Sequence, residues 1–307
     1  MIFKKIWYKF FNKNKYGKFK FLHKQKIKED IFEKKVKNYL IKVDNCLTSK
    51  SEISFLHSGH LGDLTNALPV IKEISKTKKC NYFIEPNKKI PLHVRNDLHP
   101  FGNYYLNINS VNMILPLLKR QPYLNIVDIY NGQKIDIDLN FFRELPINFN
   151  IDSVRWYSHL TGTHPNLSDP YIEVDDNNSL KNKIIIIRNS RRKNSLINYK
   201  FLNKYNDIFF LGLKNEFDDL KKEVKNLNFY NCKNFLEMAE IIKNSKIFIG
   251  NLSFGYTLAE GLKVQRLLES NPEFPLVYPN GGKGYDFYFQ NHFENLFSKL
   301  YDFNKKI

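Results

Sequence analysis

Residues 53–74, ISFLHSGHLGDLTNALPVIKEI, decide the fold because their hydrophobic period changes in the middle. The first residues of the stretch are mostly apolar and predict a short buried strand. Gly59 and Gly62 then interrupt the pattern, and glycine disfavours both strand and helix. The apolar residues beyond them recur at helical spacing: Leu64, Ala67, Leu68, Ile71 and Ile74. The stretch therefore predicts a strand, a glycine loop and a helix.

The glycine loop is a candidate ligand site. Backbone N–H groups and the dipole at a helix start attract an anion or a substrate. His57 and His60 lie in the loop, and Asp63 stands at the start of the helix. A plain βα turn in which Asp63 caps the helix explains the same residues, because such turns are common in α/β proteins. The loop alone leaves both interpretations open.

Length and charge distribution limit the class of protein. The chain has 307 residues, enough for two domains, and 42% of them are hydrophobic, enough for a packed core. The net charge is +17, and residues 1–28 hold ten lysines and no acidic residue. The three cysteines, Cys46, Cys80 and Cys232, show neither pair spacing nor partner histidines. This argues against a disulfide framework or a zinc site and favours a reducing compartment, the cytoplasm.

Residues 1–50 are predicted to form a basic helical extension. Its apolar residues recur at helical spacing, with lysines on the other face: Ile2, Phe3, Ile6, Trp7, Phe10 and Phe11. This pattern is typical of a helix that lies in the interface of an anionic membrane, which we expect residues 1–28 to contact. A solvated helix packed on the body and a nucleic-acid-binding arm are the alternatives. No apolar run reaches the roughly 20 residues of a membrane span, and lysines interrupt any signal-peptide core, so we expect peripheral association with the inner membrane face.

Residues 51–175 are predicted to form a first α/β domain. Beyond the opening unit, strands are predicted at residues 81–85, 126–130 and 135–139, with a helix at 111–119. The last of these strands contains Asp136 and Asp138, which alternation places on one face. An Asp-x-Asp pair is typical of one class of metal site, but a solvent-exposed strand face explains the pair more simply. We therefore predict no metal site.

Residues 176–307 are predicted to form a second α/β domain, after a polar linker at 175–179. Its strands are predicted at residues 183–188, 207–213, 228–231, 246–250 and 266–269, and its helices at 215–227, 234–244, 255–262 and 285–303. Strands that alternate with helices imply a parallel sheet with right-handed crossovers. The predicted fold is therefore α/β, with two Rossmann-like domains that face a central cleft.

Candidate functional residues follow the predicted strands, where open α/β sheets bind ligands. In the first domain they are His57, Gly59, His60, Gly62 and Asp63. In the second domain they are Arg188, Arg191, Arg192, Lys193, Gly212, Glu216, Asn251, Ser253, Phe254, Gly255, Tyr256 and Thr257, with Glu260 further along the same helix. The first set offers a carboxylate and imidazoles, and the second offers cations and a helix start that suit a diphosphate. Solvated loop cations, an N-cap serine and a surface glutamate are the simpler explanations, but recurrence at strand ends favours a site.

Three motifs resemble family 9 glycosyltransferases, the heptosyltransferases with the two-domain GT-B fold. HSGHLGDLTNALPVIK at residues 57–72 resembles the Gly-Asp signature that opens this family. KIFIGNLSFGYTLAEGLKV at residues 246–264 is similar to its second signature, a strand followed by Asn-Asp-Ser-Gly and a helix. NFLEMAEIIKNSKIFIGN at residues 234–251 is similar to the helix and strand before that signature. The resemblance covers roughly residues 52–290 in scattered motifs.

The resemblance implies an inverting, metal-independent sugar transfer. Asp63 falls on the family's catalytic base, and the glycine loop before it falls on the acceptor side. Residues 191–193 fall where donor phosphates are met, and residues 253–257 fall on the diphosphate loop. Glu216 or Glu260 would bind nucleoside hydroxyls. A nucleotide sugar would be the co-substrate without any further cofactor, and a bacterial surface glycan or glycolipid would be the acceptor.

The chain departs from the family pattern at three positions. Leu252, Phe254 and Thr257 stand where the family has aspartate, glycine and histidine, so ADP-heptose is not assumed as the donor. A nucleotide-sugar epimerase of the same fold is the alternative enzyme. A binding protein that kept the fold without turnover is a further alternative. Binding of nucleic acid is disfavoured, because the charge is concentrated in residues 1–28 and no recognition motif is visible.

Overall fold

The computed structural model describes residues 2–91 and 102–303. The N-terminal extension is helical, as the sequence predicts: α1 (Ile2–Phe11) and α2 (Lys13–Ile31) are followed by a π-helical turn and by α3 (Lys37–Ser49). α3 packs on the first domain, where Val43 is buried and the Tyr39 ring stacks on Phe141 with centroids 3.8 Å apart. In α1 and α2, by contrast, no described side chain is buried. The extension is therefore anchored through α3, and its basic part stays in solvent.

The first domain is built on four parallel strands. They are β1 (Glu52–His57), β2 (Lys79–Ile84), β3 (Ile126–Ile129) and β4 (Ile137–Asp138), in the spatial order β3-β2-β1-β4. The helices that accompany them are α4 (Leu61–Asn66), α5 (Leu68–Ser75), α6 (Ile108–Lys119) and α7 (Val154–Thr161). β2 is buried beyond its first residue, and apart from Asn81 its buried side chains are mostly apolar, as expected of a strand covered on both faces of a parallel sheet.

The opening unit confirms the predicted order of strand, loop and helix, with one difference. The predicted helix is divided into α4 and α5 at Ala67, just before Pro69. Proline has no N–H group to continue a helical ladder, so it starts a new helix more readily than it extends one.

The predicted strand at residues 135–139 is much shorter in the structure. The Asp138 carboxylate accepts a hydrogen bond from the Asn140 N–H at 2.9 Å, which begins a 3-10 turn instead of a strand. Asp136 is buried, and its Oδ2 accepts the Ser54 N–H at 3.0 Å while the other oxygen pairs with Lys50. The interpretation of both aspartates as a solvent-exposed strand face is therefore wrong.

The second domain is built on six parallel strands. They are β5 (Ile184–Ile187), β6 (Ile208–Leu211), β7 (Leu227–Tyr230), β8 (Ile247–Asn251), β9 (Arg266–Glu269) and β10 (Gly284–Phe287), in the order β10-β9-β8-β5-β6-β7. The accompanying helices are α8 (Lys214–Lys221), α9 (Phe235–Lys243), α10 (Phe254–Leu262) and α11 (Gln290–Phe303). The predicted closing helix at 285–303 is wrong in its first residues, because these pair with β9 as an edge strand.

Each sheet contains one topological switch point. Chain order reverses between β1 and β4 in the first sheet and between β5 and β8 in the second. Loops that leave neighbouring strands at such a point diverge to opposite faces of the sheet and open a crevice beyond the strands' carboxyl ends. The two switch points therefore identify the loops after β1, β4, β5 and β8 as the positions for a ligand site.

The two domains are in direct contact. Thr65 Oγ1 on α4 lies 2.7 Å from Thr257 Oγ1 on α10, and the Ser153 N–H donates to Leu276 O at 2.8 Å. One cluster of buried hydrophobic residues extends from the first sheet to the second, and another fills the face of the second sheet beneath α11. The fold is therefore α/β with two facing parallel-sheet domains. Within the described residues, no helix has the length and apolar character that a membrane crossing requires.

Candidate functional site

Asp63 lies in the first turn of α4, directly beyond the β1 loop. Its Oδ2 accepts the His60 N–H at 3.1 Å and a hydrogen bond from Arg143 Nη2 at 2.9 Å. His60 is the N-cap of α4 and Asp63 is its N3 residue; the two form a capping box, so Asp63 caps the helix from N3 instead of from the N-cap position. A side chain at Gly59 would bring a Cβ within 2.7 Å of Asp63 Oδ2, which explains why this position needs glycine. The carboxylate is thus held in one orientation with 17% of its side chain exposed.

Arg143 is the partner that the sequence analysis missed. It lies in the 3-10 turn Leu139–Glu144 that follows β4, and Nη1 donates to Asn140 Oδ1 at 3.2 Å. Its guanidinium group is sandwiched between the rings of Tyr105 and Phe142, at 4.5 and 4.4 Å from their centroids. Because β4 lies beside β1, a residue just after β4 must lie near the β1 loop. That adjacency was the available signal, but a two-residue strand is hard to identify from periodicity.

His57 does not face the cleft, which corrects its assignment to the acceptor side. It is fully buried, its Nε2 lies 2.8 Å from Tyr157 Oη, and its Nδ1 accepts the Gly59 N–H at 2.9 Å. Burial, and secondarily the charge of Arg143, holds the pKa of His57 well below its ordinary value. The ring is therefore neutral, and it fixes the shape of the glycine loop.

His60 marks the place where the two domains face each other. Its Nδ1 lies 2.9 Å from Tyr105 O. Burial lowers the pKa of His60, the nearby Asp63 carboxylate opposes this, and the cations Arg143 and Arg191 lower it further. Arg191 belongs to the second domain, which α4, the helix that His60 caps, contacts where Thr65 Oγ1 lies 2.7 Å from Thr257 Oγ1. Gly62 also faces the second domain, since a Cβ there would lie 3.7 Å from Thr257 Cγ2.

The loop after β5 carries the cations of the second domain. Arg191 and Arg192 are half-buried in a short 3-10 turn, and Lys193 is exposed. The Asn189 carboxamide accepts the Arg191 N–H at 2.8 Å, and the Arg192 guanidinium lies 3.6 Å from the centroid of the Phe274 ring. Among the described residues, none of the three cations has a carboxylate within ion-pairing distance. They are therefore available to an anionic ligand.

A cavity of about 290 Å³ opens beside this loop, at the carboxyl ends of β5 and β6. Ser190, Lys193, Glu216 and Lys222 are among its lining residues. Glu216 is buried, lies in the first turn of α8, and receives the Ser190 N–H at 3.4 Å. Burial raises the pKa of the Glu216 carboxyl above its ordinary value. The backbone at Gly212 has a φ of +137°, which a residue other than glycine rarely adopts.

The start of α10 lies beside the β5 loop. Ser253 caps the helix and accepts the Tyr256 N–H at 3.4 Å. A Cβ at Gly255 would lie 2.4 Å from Ile187 Cδ1, so glycine lets the helix approach β5 closely. Phe254 is half-buried and packs against Phe235, with ring centroids 4.7 Å apart.

Three residues assigned to donor binding, Asn251, Tyr256 and Glu260, lie in the interior instead. Arg188 lines the cavity beside the β5 loop but is already paired with an internal carboxylate. Arg188 is paired with Glu269, and the Glu260 carboxylate receives Arg266 Nε at 2.6 Å and also pairs with Lys263. Asn251 and Tyr256 are fully buried. In each case an internal partner or a neighbouring helix occupies the side chain, which periodicity and strand-end position do not reveal. Asn251, Tyr256 and Glu260 therefore support the site from within the domain, whereas Arg188 reaches the wall of the cavity.

The chain has the fold of solved heptosyltransferases. E. coli heptosyltransferase WaaC with ADP superimposes with a TM-score of 0.55 at 9% identity, covering 81% of this chain and 99% of that chain. WaaC with ADP-2-deoxy-2-fluoro heptose gives 0.53 at 7% identity over the same shares. The iron-containing dodecameric glycosyltransferase TibC from enterotoxigenic E. coli gives 0.50 at 12% identity, covering 77% of this chain and 62% of that chain. No protein-family model and no curated protein matches the chain by sequence. The likeness confirms the predicted two-domain GT-B fold.

Proposed function

We propose that the protein is a glycosyltransferase of GT-B architecture that takes its sugar from a nucleotide-sugar donor. The observation that carries this proposal is the arrangement of the two switch points. The helix that carries the fixed carboxylate of Asp63 meets α10 where Thr65 Oγ1 lies 2.7 Å from Thr257 Oγ1. The start of α10 lies beside the loop whose three cations have no carboxylate partner among the described residues. Sugar transfer from a nucleotide sugar needs a carboxylate beside the acceptor hydroxyl and cations beside the departing diphosphate, which the two switch points would supply separately.

In the proposed mechanism Asp63 is the general base. Within the described residues, the hydrogen bonds to its carboxylate from His60 and Arg143 both end on Oδ2, so Oδ1 is the atom that would take the proton of the acceptor hydroxyl. The deprotonated oxygen attacks the anomeric carbon as the bond to the diphosphate breaks, with inversion at that carbon. The charge that grows on the nucleoside diphosphate is met by Arg191, Arg192 and Lys193 and by N–H groups at the start of α10.

The cavity beside the β5 loop supports a nucleotide-sugar donor but does not identify the nucleotide or the sugar. Glu216, a buried carboxylate that lines the cavity beside the β5 loop, would accept hydrogen bonds from nucleoside hydroxyls. Phe254 and Thr257, which replace the family's glycine and histidine, are engaged with Phe235 and Thr65. These contacts support a donor other than ADP-heptose, because two positions of the family motif do not offer its customary groups.

The acceptor is proposed to be a bacterial surface glycan or glycolipid, met at the inner membrane face. Trp7, Phe10 and Phe11 are 55%, 73% and 72% exposed, on a helix next to lysines with no acidic neighbour before Glu29. Each lysine near an anionic leaflet contributes about 1 kcal/mol, and inserted aromatic rings add to that. The extension would hold the protein where a lipid-linked acceptor lies.

The test is thermal stabilisation by a panel of nucleoside diphosphates. A ligand at about 100 times its dissociation constant stabilises the native state by about 2.7 kcal/mol, so one nucleotide should raise the unfolding temperature clearly. Replacing Arg191 and Arg192 with alanine should weaken that binding by a few kcal/mol, since a charged hydrogen bond contributes about 1.5–3 kcal/mol.

A matched charge control is available in the same domain. Lys200 and Lys204 are exposed and lie in a 3-10 turn away from the β5 loop. The double alanine variant of these two lysines removes the same charge and should bind the nucleoside diphosphate with the affinity of the wild type. If the wild type and the Arg191/Arg192 double alanine variant bound the nucleoside diphosphate with equal affinity, the phosphates would have to bind at another surface.

A further inference from the structure

A buried carboxylate lies directly beneath the basic loop that follows β5. Glu269 is the last residue of β9, has no exposed surface, and receives four hydrogen bonds. Its Oε2 accepts Arg188 Nε at 2.7 Å and Tyr199 Oη at 2.9 Å. Its Oε1 accepts Arg188 Nη2 at 3.0 Å and the Asn194 N–H at 2.5 Å. All four donors belong to the chain that leaves β5, so Glu269 ties this segment to a different strand.

The far end of the segment is fixed by further hydrogen bonds from Asn194. Its side-chain NH₂ donates to Ser270 O at 3.0 Å and to Tyr288 O at 3.1 Å, both beyond β9. The near end is fixed by Asn251, whose carboxamide accepts the Asn189 N–H at 2.8 Å and donates to Asn189 O at 2.7 Å. Residues 189–194 are therefore held at both ends by buried groups of other strands.

The residues between these two ends are the ones that repel each other. Arg191, Arg192 and Lys193 are consecutive cations, and without a bound anion their repulsion favours an open loop. Arg188 is buried and lines the cavity, but its guanidinium is already paired in bidentate geometry with Glu269. The ends of the loop are tied by Asn251 and Glu269, and within it the Arg192 guanidinium lies 3.6 Å from the centroid of the Phe274 ring.

We propose that Glu269 is a positioning residue for diphosphate binding: through Arg188 and the Asn194 N–H it holds the Arg191–Arg192–Lys193 turn in the geometry that receives the two phosphates. The inference rests on the proposed function for the identity of the ligand. Glu269 itself cannot touch the donor, since it is buried behind the loop. Its effect on binding passes entirely through the backbone of residues 189–194.

The test measures binding of inorganic pyrophosphate to the full chain by calorimetry, with Glu269→Gln and Tyr199→Phe. Glutamine keeps the shape but loses the ion pair with Arg188, and pyrophosphate affinity should fall about tenfold or more, as loss of one charged hydrogen-bond network implies. Tyr199→Phe removes a single neutral donor to Glu269 and should lower the affinity about threefold. Each variant is measured at a temperature where its circular dichroism matches that of the wild type.

The control is Tyr205→Phe, which removes a hydroxyl from the aromatic cluster beneath α11 without touching Glu269. It should bind pyrophosphate as the wild type does. If Glu269→Gln does not fold, the pyrophosphate affinity of Tyr199→Phe compared with that of Tyr205→Phe still tests the positioning role of Glu269. Wild-type affinity in Tyr199→Phe and in any folded Glu269→Gln overturns the proposal, as does a wild type that does not bind pyrophosphate.

Turnover of the nucleotide-sugar donor distinguishes a failure of the Glu269 positioning role from a failure of the proposed glycosyltransferase activity. If the positioning role holds, Glu269→Gln should raise KM for the nucleotide sugar more than it lowers kcat, because the residue acts on phosphate binding and not on the base. A wild type that turns over a nucleotide sugar while the variants bind pyrophosphate normally refutes the inference alone. A wild type that binds pyrophosphate through Glu269 but consumes no nucleotide sugar refutes the transferase alone.

Discussion

At the residue scale, hydrogen-bond partners separate the groups that face the cleft from those that build it. Asp63 keeps part of its side chain exposed, and Arg191 is half-buried with no carboxylate within ion-pairing distance among the described residues. His57, Arg188 and Glu260 also follow strands or lie on the right helix, yet each is buried against a specific partner. A buried charge or imidazole is retained only where such a partner compensates its lost hydration.

The buried His57 makes stability depend on pH. The pKa of His57 in the native state lies well below 6.5, its ordinary value in the unfolded chain. At a pH between the two pKa values, the unfolded chain therefore binds a proton at His57 and the native state does not. The free energy of unfolding should therefore fall as the pH drops below 6.5, by up to about 1.4 kcal/mol per pH unit from this residue. Urea unfolding of His57→Gln should show a shallower decline than the wild type over that window.

The matched control for this measurement is His164→Gln, because His164 is exposed in a loop. It should leave the slope of stability against pH unchanged. Equal slopes for wild type and His57→Gln would mean that the imidazole titrates alike in both states, against its burial beside Tyr157.

At the element scale, the strands and helices follow from hydrophobic period, and the local exceptions have identifiable causes. The order strand, glycine loop, helix at residues 53–74 was predictable because Gly59 and Gly62 punctuate it. The division of the helix at Ala67 follows from Pro69, and the 3-10 turn after Asp138 depends on a hydrogen bond from the Asn140 N–H; hydrophobic period alone resolves neither. The edge strand β10 depends on pairing with β9, a contact that no local pattern encodes.

The N-terminal extension carries its own prediction. A protein that lacks residues 1–28 should stay folded, because no described side chain in that part is buried, and it should no longer sediment with vesicles of anionic phospholipid. A variant with Lys13, Lys15, Lys18 and Lys20 changed to glutamine keeps the aromatic face and should bind these vesicles more weakly than the full chain. Undiminished sedimentation of the truncated protein would contradict the membrane proposal.

At the scale of the whole molecule, two sheets bring their switch points together. The sequence predicted both domains and most of the strand-end residues, because parallel sheets place the carboxyl ends of their strands at one edge. It could not predict which of those side chains turn inward, nor that Arg143 would hold Asp63, because both depend on contacts between distant segments. The Thr65–Thr257 contact that joins the domains is likewise invisible to local pattern.

The proposed division of charge predicts activity that is independent of divalent metal. The cations of the β5 loop would neutralise the leaving diphosphate, and the Asp136 and Asp138 carboxylates are already engaged by Lys50 and Asn140. Donor turnover should therefore persist in excess chelator. Loss of turnover in chelator, restored by manganese or magnesium, would contradict this and return both aspartates to consideration as ligands.

Sugar transfer with Asp63 as the general base is tested by the release of nucleoside diphosphate from a panel of nucleotide sugars, measured for the wild type and for Asp63→Asn. The wild type should consume one donor in the presence of a glycan or glycolipid acceptor. Asp63→Asn should fold and bind that donor, yet lose at least about a hundredfold in turnover, the usual contribution of a positioned base. Glu144→Gln, the same chemical change at an exposed neighbour of Arg143, should retain full turnover. Near-normal turnover in Asp63→Asn would contradict the claim and leave His60 as the next candidate base, and a wild type that consumes no nucleotide sugar would refute the transferase itself.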